Sequence, residues 1–167
     1  MTRGFAETVD GVTADRGRSY PRQKTMDPGT IELVPAAPFQ PAVQFTVRGV
    51  PVGKPRMTQR DKWQSRPCVV AYRAWADLIR LAAHQRRWPR VLQGRIRTVF
   101  YLPFPRSYTE RKREGLRGQP HQSRPDGDNL HKAVLDALFK DDAFIWDGQY
   151  TSYWDDGQGP RAEIALQ

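Results

Sequence analysis

Residues 124–139, Arg-Pro-Asp-Gly-Asp-Asn-Leu-His-Lys-Ala-Val-Leu-Asp-Ala-Leu-Phe, combine a helical apolar spacing with a dense row of ionisable groups. Leu130, Val134 and Leu138 recur every four residues, with Ala133 and Ala137 on the same side, which is the spacing of one buried helix face. Asp128, Lys132 and Asp136 also lie four apart and stack along a polar stripe, with Asn129 beside them. Pro125 biases Arg124 towards an extended backbone, and Asp126 or Asp128 can cap the first-turn N–H groups. The stretch therefore predicts a strand or loop that delivers two carboxylates to a helix N-terminus.

The residues alone leave two uses open for those carboxylates. One is capping and complementing the helix dipole, with Lys132 as an ordinary surface pair. The other is an oxygen-rich site for Mg²⁺ or Mn²⁺, which bind through one or two carboxylates plus waters and phosphate oxygens. A calcium loop of the EF-hand kind fits badly: with Asp126 as its first position, the required Gly falls on His131 and the Glu on Ala137.

The 167-residue chain has room for one domain with a real core. No apolar run approaches the length of a membrane span and the N-terminus lacks the order of a signal peptide, so a cytoplasmic protein without membrane contact is expected. Cys68 has no partner for an internal disulfide or a zinc site and is expected as a half-buried helical side chain. The net charge of +9 is segregated. Residues 43–125 hold 19 basic and 4 acidic side chains, a net +15, whereas 126–167 hold 3 basic and 9 acidic, a net −6. Cations that hold phosphates beside carboxylates that hold a metal are what a polyanion-processing metal enzyme needs.

Residues 1–42 show no periodicity and are expected as a disordered or loosely packed N-terminal arm, leaving 43–167 as the folded domain. Val43 to Val50 alternates as a strand with Val43, Phe45 and Val47 on one side. The turn-rich stretch that follows places Lys54 and Arg56 on an exposed loop running through Arg60, Lys62 and Trp63, a mixture fit for phosphate contacts and base stacking, or simply for solvation. Ser65 and Pro67 open a helix to about Arg87, its apolar face formed by Tyr72, Trp75, Ile79 and Ala82 with Ala71, Leu78 and Ala83 adjoining. Arg95 to Leu102 alternates as a strand with Ile96, Thr98, Phe100 and Leu102 on one face.

Pro103 to Pro120 reads as a long irregular loop whose Arg106, Arg111, Lys112, Arg113 and Arg117 would grip nucleic-acid backbone; His121 after it carries little functional weight. Gln149–Trp154 and Arg161–Leu166 are strands, expected as a hairpin around Asp155-Asp156-Gly157. The order is β-α-β-loop-α-β-β, an α+β single domain in which two main helices pack on one face of a mixed sheet.

The run Pro125-Asp126-Gly127-Asp128-Asn129-Leu130-His131-Lys132-Ala133-Val134-Leu135-Asp136-Ala137-Leu138 closely resembles the signature of the RusA family of Holliday junction resolvases, including its phage-type members. Phe45 to Arg56 is similar to that family's first strand and basic loop, and Tyr101 to Pro105 to its middle strand end, so the likeness covers about residues 43–167. The resemblance implies a RusA-like fold and a bacterial or phage-encoded, homodimeric, Mg²⁺-dependent crossover junction endodeoxyribonuclease that cuts four-way DNA junctions symmetrically during recombination and repair. It implies Asp126 and Asp128 as catalytic metal ligands and Lys132 as the active-site lysine, with Asp136 next on the stripe to orient it. The family's third carboxylate falls on Asp147 in ungapped register, where Trp146 replaces the first Asp of the family's Asp-Asp pair; Asp142 is the competing position. Lys54, Arg56, Arg106, Arg111, Lys112, Arg113 and Arg124 are the expected DNA contacts. The altered Trp146-Asp147 pair keeps in view a branched-DNA binding protein without cleavage, and a metal-dependent nuclease of broader specificity is a further alternative.

Overall fold

Alternation and helical spacing meet on one side of a four-stranded sheet in the computed structural model, which describes residues 41–63, 66–87 and 94–167. The arm expected at residues 1–42 lies, up to residue 40, outside the described residues. The elements in order are β1 (Val43–Arg48), a 3-10 turn (Gln59–Lys62), α1 (Pro67–Gln85), β2 (Gly94–Leu102), α2 (Glu110–Leu116), α3 (Gly127–Leu138), β3 (Ile145–Trp154) and β4 (Arg161–Leu166). The sheet is mixed, in the order β1-β4-β2-β3: β4 runs antiparallel to both β1 and β2, and β3 runs parallel to β2. The α+β class expected from the sequence, a mixed sheet with two main helices packed on it, is that of the chain.

The core lies between that sheet and the two long helices. Ile96, Thr98, Phe100 and Leu102 of β2 are buried, as are Phe45 and Val47 of β1 and Ala162, Ile164 and Leu166 of β4. Onto them α3 lays Leu130, Ala133, Val134 and Ala137, while α1 lays Trp75, Ala76, Ile79 and Ala83. Burying one such aliphatic or aromatic side chain is worth about 1.5–3 kcal/mol, so this single layer supplies most of the stabilisation.

Four local expectations are corrected. The buried face of α1 is rotated: Val69, Ala76 and Ala83 face inward, whereas Ala71 and Leu78 are exposed. Cys68 lies on the exposed side of the same helix. The loop after β2 contains the seven-residue α2, opened by Thr109, whose hydroxyl accepts from Lys112 N. Finally, β3 and β4 do not form a hairpin, because β2 lies between them. Residues 155–160 instead cross the end of β2, where Asp155 N donates to Leu102 O at 2.8 Å, and Gly157 and Gly159 take the positive φ of +100° and +90° that the crossing requires.

Candidate active site

The start of α3 carries the two carboxylates, and the N-cap one is not spent on capping the helix. Asp126 is the N-cap residue with an extended backbone, yet its side chain makes no capping hydrogen bond. Asp128 sits in the first turn, where its charge complements the dipole. Both are exposed. Gly127 between them lets the turn approach β3 closely: a Cβ there would stand 2.8 Å from Tyr150 Cε2 and 3.0 Å from Ser152 Oγ. The two carboxylates thereby line an open cleft of about 490 Å³ together with Arg124, Tyr150 and residues 121–123.

His121 lines the same cleft and is firmly held. Its N–H donates to Ser152 O at 2.8 Å, its ring meets the Trp154 ring edge-on at 4.3 Å, and Nε2 lies 3.2 Å from Ser123 Oγ. Burial pushes its pKa down and so favours the neutral ring. Nothing local in the chain points to His121 or Tyr150, since what joins them to the carboxylates is pairing of residues 119–121 with β3, a contact between distant segments.

Lys132 stands one turn beyond Asp128 and is exposed. Asp136 does not orient it. Its carboxylate is held instead by Lys54 Nζ at 2.7 Å, a hydrogen-bonded ion pair that also pushes the lysine's pKa upward. Lys54 is correspondingly half-buried and neutralised rather than a free phosphate contact. Gly53 packs so closely on Asn129 that a Cβ would collide with its amide. The basic loop is thus docked on the polar stripe of α3.

The third predicted carboxylate is not brought to the other two. A Cβ on Gly148 would meet His131 of α3, so Gly148 faces the helix layer and its neighbour Asp147 faces the opposite side of the sheet. There Asp147 accepts from Arg95 Nε at 2.7 Å and from Gln149 Nε2 at 3.4 Å. Asp142 follows the other end of α3, whose 12 residues span about 18 Å from the carboxylates at 1.5 Å per residue. Among the described residues no group of three or more His, Cys, Asp or Glu is arranged to hold a metal ion. The unspent pair of Asp126 and Asp128 does fit Mg²⁺ or Mn²⁺, ions satisfied by one or two carboxylates with water and phosphate oxygens in the other positions.

Of the predicted DNA contacts, Arg56, Arg106, Arg111, Lys112 and Arg124 are exposed. Lys112 Nζ caps the Tyr108 ring at 3.7 Å. Arg113 is half-buried, with Nη2 donating to Arg106 O at 3.3 Å, and so braces the turn that displays Arg106. Arg124 alone of these shares the cleft with the carboxylates.

The family model of the endodeoxyribonuclease RusA matches residues 48–167, which span every element from the basic loop to β4. The chain belongs to the RusA family. No curated protein matches it closely enough to be informative. Family membership makes it an endodeoxyribonuclease by class, a nuclease of the Holliday junction resolvase family that acts on branched DNA. No described helix is long and apolar enough to cross a membrane.

Proposed function

We propose that the chain is a cytoplasmic, Mg²⁺- or Mn²⁺-dependent resolvase of RusA type that, as a homodimer, cuts four-way DNA junctions by paired symmetric incisions. The observation that carries this is the pair of unspent carboxylates, Asp126 and Asp128, sharing a cleft with Arg124 at the edge of a strongly basic domain. A divalent cation held by that pair supplies an activated water and neutralises charge on the scissile phosphate.

The chain's own groups do the rest. Arg124, with its planar fork, orients the phosphate from the rim of the cleft. Lys132, an exposed cation one turn along, offsets the charge that builds on the phosphorane oxygens as the attacking water adds. Arg56, Arg106, Arg111 and Lys112 hold flanking phosphates without reading sequence. Two copies related by a two-fold axis place one site on each of two opposed strands, matching the symmetry of a junction.

The test is cleavage of a labelled four-way junction across a Mg²⁺ and Mn²⁺ titration, with flap and duplex DNA beside it. Paired nicks in the junction are expected, and Asp126→Asn should abolish them while junction binding persists or tightens. Binding without nicks supports the non-cleaving alternative, and equal cutting of flaps and junctions supports the broader nuclease.

A further inference from the structure

Trp63 is the most exposed of the large hydrophobic side chains described, at 89 % of its surface, and the described residues leading to it, 53–63, are tied down at several points. The buried carboxylate of Asp61 accepts from Thr58 N at 2.6 Å, Thr58 Oγ1 at 3.0 Å, Arg66 Nε at 2.6 Å and Arg66 Nη2 at 2.7 Å. Arg66 also ties back to Arg56 O at 2.8 Å, and Trp63 N donates to Arg60 O at 2.9 Å. At its other end the loop is clamped to α3 by the Lys54–Asp136 ion pair and the Gly53 contact with Asn129. Residues 53–63 are thus tied both among themselves and to the helix that carries Asp126 and Asp128.

A mobile loop can fold an indole against its own surface; this one holds the ring in water, and among the described residues the Trp63 ring has no aromatic or cation partner. Arg56 and Arg60 beside it are exposed as well. Cations around a bare aromatic face are the chemistry of single-strand recognition, in which the cations track the backbone and the ring stacks on a base. An intact duplex hides its base faces, so the partner that fits is DNA with a base unstacked, as at a branch point.

We infer that Trp63 is a stacking platform for an unpaired or unstacked nucleobase, held at a fixed offset from the carboxylates by the Asp61–Arg66 and Lys54–Asp136 pairs. This rests on the DNA-cleaving function proposed above and adds the part of the substrate that is recognised.

The experiment uses the full chain in EDTA, so that DNA stays uncut, with a four-way junction carrying 2-aminopurine at the branch. Trp63→Ala and Trp63→Phe are compared with the unaltered protein for affinity and for 2-aminopurine fluorescence, with thermal midpoints as the control for folding. Trp63→Ala should weaken junction binding by about tenfold, as loss of one aromatic stack does. It should also abolish the fluorescence change while duplex affinity and the thermal midpoint stay unchanged, and Trp63→Phe should restore most of both losses. Junction binding that is indifferent to Trp63→Ala overturns the inference and leaves the proposed function standing, as does an equal loss on duplex and junction. A protein that binds no branched DNA overturns both.

Discussion

Replacing Asp147 with Asn separates a structural carboxylate from a catalytic one. Arg95 and Asp147 expose 10 % and 24 % of their side chains and meet at 2.7 Å, so the pair is largely shielded from water. The Asn amide oxygen still accepts a hydrogen bond, but the charge is gone; a lost charge-assisted bond at a half-buried site costs about 1–2 kcal/mol. Arg95 retains Gln167 Oε1 at 3.4 Å and the Trp146 ring at 5.7 Å, which favours the lower end of that range. For a domain of this size the loss corresponds to a fall in Tm of about 3–6 °C. The assay is thermal unfolding in EDTA, followed by junction cleavage well below both midpoints. Asp147→Asn should unfold earlier yet cut at an unchanged rate per folded molecule. Asp126→Asn, whose carboxylate caps nothing, should keep its Tm and lose cutting. Abolished cutting by Asp147→Asn at an unchanged Tm would refute the placement of Asp147 and return it to the site as the third ligand.

Two further expectations test the packing around that site. Gly148→Ala puts a methyl 2.8 Å from Nε2 of buried His131, whose Nδ1 is engaged with Thr98 Oγ1 at 2.8 Å, so the ring has little freedom to retreat. A cost of about 1–3 kcal/mol is expected in urea unfolding, and a neutral result would show that the ring can move. Asp156→Asn removes the carboxylate that receives Nη1 and Nη2 of buried Arg161 at 2.9 and 2.8 Å. Those hydrogen bonds lower the pKa of Asp156 from 3.8 to about 2. A depressed carboxylate contributes its stability above the unfolded value and loses it as pH falls through the folded one. The variant should therefore be about 1 kcal/mol less stable at pH 7, after allowance for solvent screening, and the two proteins should converge as pH falls from 3.8 towards 2. A gap that persists at pH 2 would refute the linkage.

What the sequence made legible was whatever repeats locally. The alternation of Ile96, Thr98, Phe100 and Leu102 identifies a one-sided strand, and the four-residue spacing of Leu130 and Val134 identifies the buried side of α3, because each pattern lies within one element. The misses are relations between elements. Asp155-Asp156-Gly157 forms a turn whether it joins neighbouring strands or crosses a third, and only the pairing of β2 with both β3 and β4 decides which. The α3 stripe offered Lys132 to Asp136 at helical spacing, but Lys54 arrives from a distant loop and takes it. α2 buries no residue, so it left no apolar period to read.

Asp147 shows the same limit in its sharpest form, because a sequence register fixes which residue occupies a strand position but not which side of the sheet holds the chemistry. In β3 the side is set by α3. Gly148 faces His131 and Tyr150 faces Gly127, so the alternate positions Asp147 and Gln149 turn away. Moving Asp147 to the face of Asp126 requires either a one-residue slip of β3, which would turn Trp154 out of the core and Tyr153 into it, or a rupture of its pair with Arg95. The slip would also put a side chain where Gly148 now admits His131, so the glycine beside Asp147 is what fixes the face on which that carboxylate stands.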